Sequence, residues 1–407
     1  KKLPTKFGLE DLATKVVAEL DDLTVEGEMG ELANDIYFRG GGALNKLSPL
    51  FLILNSLKGE ERISASSEQL ANILCSAIGE NRCQVKEPTF NFIESIVVDK
   101  YKNQLVDVTS ANNKVSPYLP FLATCFQKDM SFISSKPQFM LEKIEDFLGL
   151  YNFLYCSQLG ANIRNWKVGP PSSVEHYFII DTEKCSAERR ASHSYKELRQ
   201  SVESIFPMLT LVHEVNTVLG SDACSLPFWK VSEFIQSLPE GQQVEISEAI
   251  HSYIDRFCDE EAGKGRELRP RNRCEFPDGV VGDLERFVRI TLDQFDPKRV
   301  VGKSTKDDMV KKYLKPFEQE VAKHFVQARG RLGKVLVINQ DYLLMLTNVV
   351  IGDKGVMRLQ EILNEFEQRG VYLDKQSQLS LIAFYERIGN IKRMSDSGDA
   401  VYVKSTV

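Results

Sequence analysis

Few residues in this chain have the types and spacing that chemistry needs. Gly302–Lys303–Ser304 matches the last three positions of a phosphate-cradling loop, which wraps consecutive backbone N–H groups around a nucleotide's phosphates. The first glycine of such a loop would stand at 297, where Pro297 offers no N–H, and a helical segment precedes it instead of a strand. A solvated linker is the better reading. Asp181, Glu183 and Lys184 follow an apolar strand, as do the acids and lysine that hold Mg2+ in restriction-type nucleases. Those enzymes keep one residue between acid and lysine. Glu183 and Lys184 are adjacent, so they would face opposite sides of an extended chain. A charged strand end accounts for them better. His176, His193, His213, His251 and His324 are scattered, and no Gly-x-Ser-x-Gly elbow is present. His213 falls inside an apolar helix and reads as a hydrogen-bonded core residue. No catalytic residue, metal ligand or cofactor is assigned, and the chain reads as a non-enzyme.

The remaining candidates are binding residues. Arg266, Arg269, Arg271 and Arg273 lie in the stretch 259–282, with Gly263, Gly265, Pro270, Pro277 and Gly279 among them. That composition predicts an exposed basic loop, suited either to phosphate contact or to plain solvation. A second set, Lys375, Gln376, Arg387, Lys392, Arg393 and Lys404, falls near the C-terminus. Glutamine can hydrogen-bond base edges, and lysine or arginine can meet phosphates. Glu386, Asp396 and Asp399 share this surface and dilute its charge, so protein docking stands beside double-stranded DNA as its use.

The elements that would position this second set run from Lys354 to Val407. Leu359, Ile362, Leu363 and Phe366 keep the i, i+3, i+4, i+7 spacing of one buried helix face, and Arg369–Gly370 closes that helix with a glycine. Asp374 is a good N-cap for a second helix, which buries Leu381, Phe384, Tyr385 and Ile388 and turns Gln376, Ser380, Ala383 and Arg387 the other way. Strands over 391–394 and 400–403, around the turn 395–399, complete a hairpin. Helix, helix, hairpin is the order of a winged helix over 354–407.

Upstream the chain reads as a multi-helix body with few short strands, so the fold class is mainly α. Helices are predicted over 9–20, 44–57, 66–78, 89–101, 121–126, 139–158, 195–206, 209–219, 228–238, 244–257, 284–295, 307–329 and 340–350. Strands are predicted over 176–181 and 332–338. Breaks at Gly169–Pro170–Pro171 and in the linker 296–306 divide the chain into 1–165, 166–300 and 301–407. No repeat or low-complexity tract is present. Apolar residues make up 43% of the 407, enough to fill the cores of two or three domains. The net charge of −6 argues against wholesale coating of nucleic acid but leaves room for a local basic face. No apolar run is long enough to span a bilayer and no signal peptide is legible. The eight cysteines form no CxxC pair, which suits reduced thiols in a cytoplasmic protein.

The C-terminal phrases Leu343–Leu344–Met345–Leu346–Thr347–Asn348, Glu365 to Val371, Phe384 to Asn390 and Ser395 to Val403 resemble the end of the DptG (DndG) family of DNA phosphorothioation-dependent restriction proteins. The resemblance covers about the last quarter of the chain. It implies a non-catalytic subunit of a bacterial defence complex, with DptF-like and DptH-like ATPase proteins as partners and unmarked DNA as the target. It supplies no catalytic residues. The rival expectation is a stand-alone winged-helix transcriptional regulator, and a third class is an unrecognised nuclease acting through Asp181 and Glu183.

Overall fold

The computed structural model describes residues 8–23, 28–39, 90–104, 117–163, 169–219, 227–272, 275–302, 314–393 and 401–407. The helices expected over 44–57 and 66–78, the residues Lys303, Ser304 and Arg273, and the hairpin turn 395–399 lie outside the described residues.

The chain begins with α1 (Leu9–Leu23), α2 (Glu28–Ala33) running into a π-helical turn, Asn34–Arg39, and α3 (Phe92–Asn103). Leu12, Val16 and Leu20 of α1, four residues apart, meet Ala33, Phe38, Val97 and Val98 in a small core of their own. A capping box starts α3: the Asn91 side chain accepts from the Glu94 N–H at 2.8 Å, and Glu94 accepts from the Asn91 N–H at 2.9 Å.

Two longer helices follow, α4 (Pro120–Ser134) and α5 (Pro137–Asn162), each with proline in its first turn, where no N–H is needed. Then come β1 (Tyr177–Ile180), α6 (Ala191–Glu203), α7 (Ile205–Leu219), α8 (Phe228–Ser237), α9 (Glu240–Gly263), β2 (Arg266–Leu268), α10 (Val280–Asp293) and β3 (Val300–Gly302). After a π-helical turn at Phe317–Val321 the chain forms β4 (Val326–Ala328), β5 (Lys334–Ile338), α11 (Gln340–Ile351), β6 (Val356–Arg358), α12 (Leu359–Gln368), β7 (Tyr372–Leu373), α13 (Lys375–Arg387), β8 (Ile391–Arg393) and β9 (Val401–Lys404). The molecule is mainly helical, with a few short strands.

Those strands are nonetheless central. The order of the largest sheet is β4-β5-β1-β7, with β1 parallel to both β5 and β7 and β4 antiparallel to β5. Phe178, Ile180, Leu336 and Ile338 face the main core, whereas Ile179, Val335 and Val337 face a second layer with Ala191. Burial of both faces explains why Tyr177–Phe178–Ile179–Ile180 and Val335–Leu336–Val337–Ile338 are apolar without alternation.

The main core takes in residues from Leu119 to Val403 and thus draws on both sides of the expected divisions at 165/166 and 300/301. Each of its fully buried Leu or Phe side chains contributes about 1.5–3 kcal/mol relative to exposure. One ion pair lies wholly inside it. The Arg369 guanidinium donates to both oxygens of Asp129 at 2.8 and 2.7 Å, and Tyr151 donates to the same carboxylate. Arg369 and Asp129 are both 0% exposed, so the pair pins α12 to α4. Burial alone would lower the guanidinium's pKa, but the Asp129 charge outweighs it and holds it well above its ordinary value.

Two expectations fail in the described residues. The helix predicted over 307–329 has ended by Val321, and Val326–Ala328 pairs instead with β5. The stretch 259–282 is not a simple basic loop: α9 runs on to Gly263 and Arg266–Leu268 pairs with Val300–Gly302. Val326–Ala328 is one arm of a local hairpin that turns at Arg329–Gly333, whereas Arg266–Leu268 takes a partner more than thirty residues away, which loop composition does not forecast.

Candidate nucleic-acid interface

The C-terminal elements run β6, α12, β7, α13, β8 and β9; β7 joins the larger sheet, and the other three strands form an antiparallel sheet in the order β6-β9-β8. Alternation sorts its two faces. Met357 and Val403, 3% and 0% exposed, turn into the core. Arg358, Tyr402 and Lys392 stand directly opposite one another across the three strands, and Lys404 follows two residues after Tyr402 on the same face. Arg358 Nε donates to the Tyr402 hydroxyl at 2.8 Å, and its guanidinium carbon lies 5.5 Å from the ring centroid. That hydrogen bond raises the Arg358 pKa. Arg358, Lys392 and Lys404 are all exposed. Three basic side chains therefore share one outward face with Tyr402. Arg358 was not among the expected residues, because it enters from β6, far back in the sequence, and only the register of β9 brings it there.

Helix α13 is anchored at its start. Asp374 caps it, accepting from the Ser377 N–H at 3.0 Å. Arg189, just ahead of α6, donates to both Asp374 oxygens at 2.9 and 2.7 Å, to Ser377 Oγ at 2.7 Å and to the Lys184 carbonyl at 3.0 Å, and lies 2.9 Å from Glu183. Glu183 in turn accepts from the Ile180 N–H at 2.8 Å. This clamp joins the end of β1 to the N-terminus of α13. Burial pushes the Asp374 carboxyl up, but the hydrogen bonds from Arg189 and Ser377 outweigh it and leave it below the usual range.

The nuclease reading places Asp181 and Glu183 at a metal. In the structure the Glu183 carboxylate is engaged by Arg189, the Ile180 N–H and the Ser377 hydroxyl, whereas Asp181 gives only its backbone carbonyl to Arg329, at 2.5 Å, and its carboxylate Oδ1 is buried without a hydrogen-bond partner among the described residues. Among the described residues no group of three or more His, Cys, Asp or Glu could hold a metal ion.

The expected basic residues separate. Arg266 donates to Glu261 at 3.0 Å, and Arg271 donates to both oxygens of Asp293 at 2.6 and 2.7 Å. Both carboxylates are nearly buried, so these guanidinium groups are turned back onto the protein. The Asp293 hydrogen bond raises the Arg271 pKa further. Arg269 is exposed. Lys375 and Gln376 are exposed at the start of α13. Arg387, at its end, donates to Gln340 Oε1 at 2.8 Å and lies over the Phe384 ring at 5.7 Å. Arg393 belongs to β8. The structure thus brings Lys392 and Lys404 together and leaves Arg266 on another sheet, β2–β3, with Arg269 and Arg271 in the segment that follows β2.

Comparison with protein-family models and with curated proteins finds no match to the chain.

Proposed function

We propose that the chain is a non-catalytic, DNA-contacting subunit of a phosphorothioation-dependent restriction complex, built on a C-terminal winged helix. The observation that carries DNA contact is the outward face of the β6-β9-β8 sheet, which Arg358, Lys392 and Lys404 share with Tyr402. The two helices lying between β6 and the antiparallel pair β8–β9 support reading that sheet as the wing. Such a face meets phosphates without reading bases, and Lys375 at the head of α13 adds a further contact. The helical body would then hold ATPase partners of the DptF and DptH kind, which the resemblance of the C-terminal phrases suggests.

The test is binding of the purified chain to unmodified duplex DNA across a salt series. Changing Arg358, Lys392 and Lys404 to Ala is expected to weaken binding at every sequence and to reduce the salt slope by about 0.9 per lost phosphate contact. Binding that these changes leave intact would remove the sheet from the interface. Co-purification with the ATPase proteins separates the subunit from the rival regulator, which would dimerise and select a palindrome.

A further inference from the structure

The stripe Gln376, Ser380, Ala383, Arg387 is where a winged helix would read a DNA groove. Here it does not stand clear of the body. Ile180, Thr182, Glu183 and Lys184, at the end of β1, and Gln340, at the head of α11, stand across from it and close a half-open cavity of about 350 Å3. Gln376, Ala383 and Arg387 remain exposed, so the cavity is open to solvent along the helix. The cavity nevertheless falls in the size range of small-ligand sites, at about 300–1,000 Å3. It also lies outside the carboxyl ends of the parallel strands β1 and β5, where ligands of open parallel sheets are held.

Its lining indicates what it would hold. Lys184 is exposed and carries no ion pair among the described residues. Arg387 is held in place by Gln340 Oε1 and the Phe384 ring, which leaves other guanidinium N–H groups for a ligand. Glu183 is the acid in the lining, and Arg189 at 2.9 Å and the Ser377 hydroxyl at 3.2 Å already engage it. Counting Arg189 with Glu183 and Asp374 as −1, and Lys184 with Arg387 as +2, the surroundings carry a net charge of +1. The other lining groups are two amides (Gln340, Gln376), two hydroxyls (Thr182, Ser380) and apolar surface from Ile180 and Ala383. An anion alone would leave most of that space unused.

We propose that this groove binds one nucleotide unit, with Lys184 and Arg387 on its phosphate and the amides and hydroxyls along its base edge. The unit is either a free mononucleotide or one link of a single strand. The proposal does not rest on DNA contact by the β6-β9-β8 sheet, whose residues lie elsewhere.

The experiment is calorimetric titration of the full chain with each deoxynucleoside monophosphate and with a short oligothymidylate. Saturable binding to at least one probe is expected, weakened about tenfold by Lys184→Ala through loss of a charge-assisted hydrogen bond. Ala383→Leu, at an exposed helical position that tolerates leucine, is expected to block it by filling the groove. Binding of a monophosphate assigns a free nucleotide to the groove, and binding of the oligothymidylate alone assigns a strand. Binding of neither probe, or binding that both variants leave unchanged, overturns the proposal whatever the duplex salt series shows.

Discussion

Single residues carry most of what is unusual in this protein. Arg369 reads in the sequence as the last polar residue of a helix, yet it is completely buried against Asp129. Removing one partner of such a pair leaves an uncompensated charge in the core, a loss that costs about 3–5 kcal/mol in general. His176 is the second case. It is 2% exposed, and neither ring nitrogen has a hydrogen-bond partner among the described residues. Burial lowers its pKa to about 4, against a smaller opposing effect from the Ser157 backbone. The unfolded chain, with a pKa near 6.5, therefore binds more protons between those values than the folded one does. Stability contributed by the neutral ring is present above about pH 6.5 and is lost as pH falls towards 4, by up to about 3 kcal/mol. Urea unfolding at stepped pH should show this slope, and His176→Leu should flatten it. An unchanged slope would assign the acid sensitivity to other groups.

At the scale of elements, helix ends were the most legible feature. Gly370 has φ +88°, and the bonds Gly370 N–H to Glu367 and Val371 N–H to Phe366 complete a Schellman cap on α12. Gly389, φ +74°, ends α13 through the equivalent bonds to Glu386 and Tyr385. Caps are local, so composition suffices to find them. What the sequence does not disclose is that a Cβ on Gly370 would overlap the Gln158 amide, which exchanges hydrogen bonds with the Val174 backbone at 2.8 and 2.9 Å. Gly370→Ala is therefore expected to cost more than the about 1–2 kcal/mol of a left-handed L residue. A drop in the denaturation midpoint smaller than Gly389→Ala produces would contradict this, because Gly389 has open space around it. Strands fared worse. Val326–Ala328 pairs across a turn marked by Gly330 and Gly333, both at positive φ, a signal that a helical reading of 307–329 passes over, while Val300–Gly302 takes its partner β2 from more than thirty residues away.

For the whole molecule the decisive feature is the sheet joining distant segments. Strand β1 takes one neighbour from 334–338 and the other from 372–373, and the main core spans Leu119 to Val403. Residues 166–300 expressed alone would leave both edges of β1 unpaired and its Phe178–Ile180 face uncovered. That fragment is expected to show no cooperative unfolding transition, whereas 117–407 should unfold cooperatively. A sharp transition in the fragment would support 166–300 as an independent domain. No helix among the described residues is long and apolar enough to cross a membrane.

The sequence by itself determined the mainly helical class, the C-terminal order of two helices and a hairpin, and the caps that delimit them. Each depends on residues within one or two turns of one another, so periodicity and glycine placement are enough. It also placed Gln376, Ser380, Ala383 and Arg387 on one helix face, since that face follows from 3.6 residues per turn. Only the tertiary structure decided what the face meets. It walled the stripe with the end of β1, turned Arg266 and Arg271 onto buried carboxylates, and aligned Arg358 with Lys392 through the register of β9. Apart from Arg266, which meets Glu261 five residues before it, these depend on contacts between segments far apart in the chain, and the strength of a charge depends on which partner and how much water the fold leaves beside it.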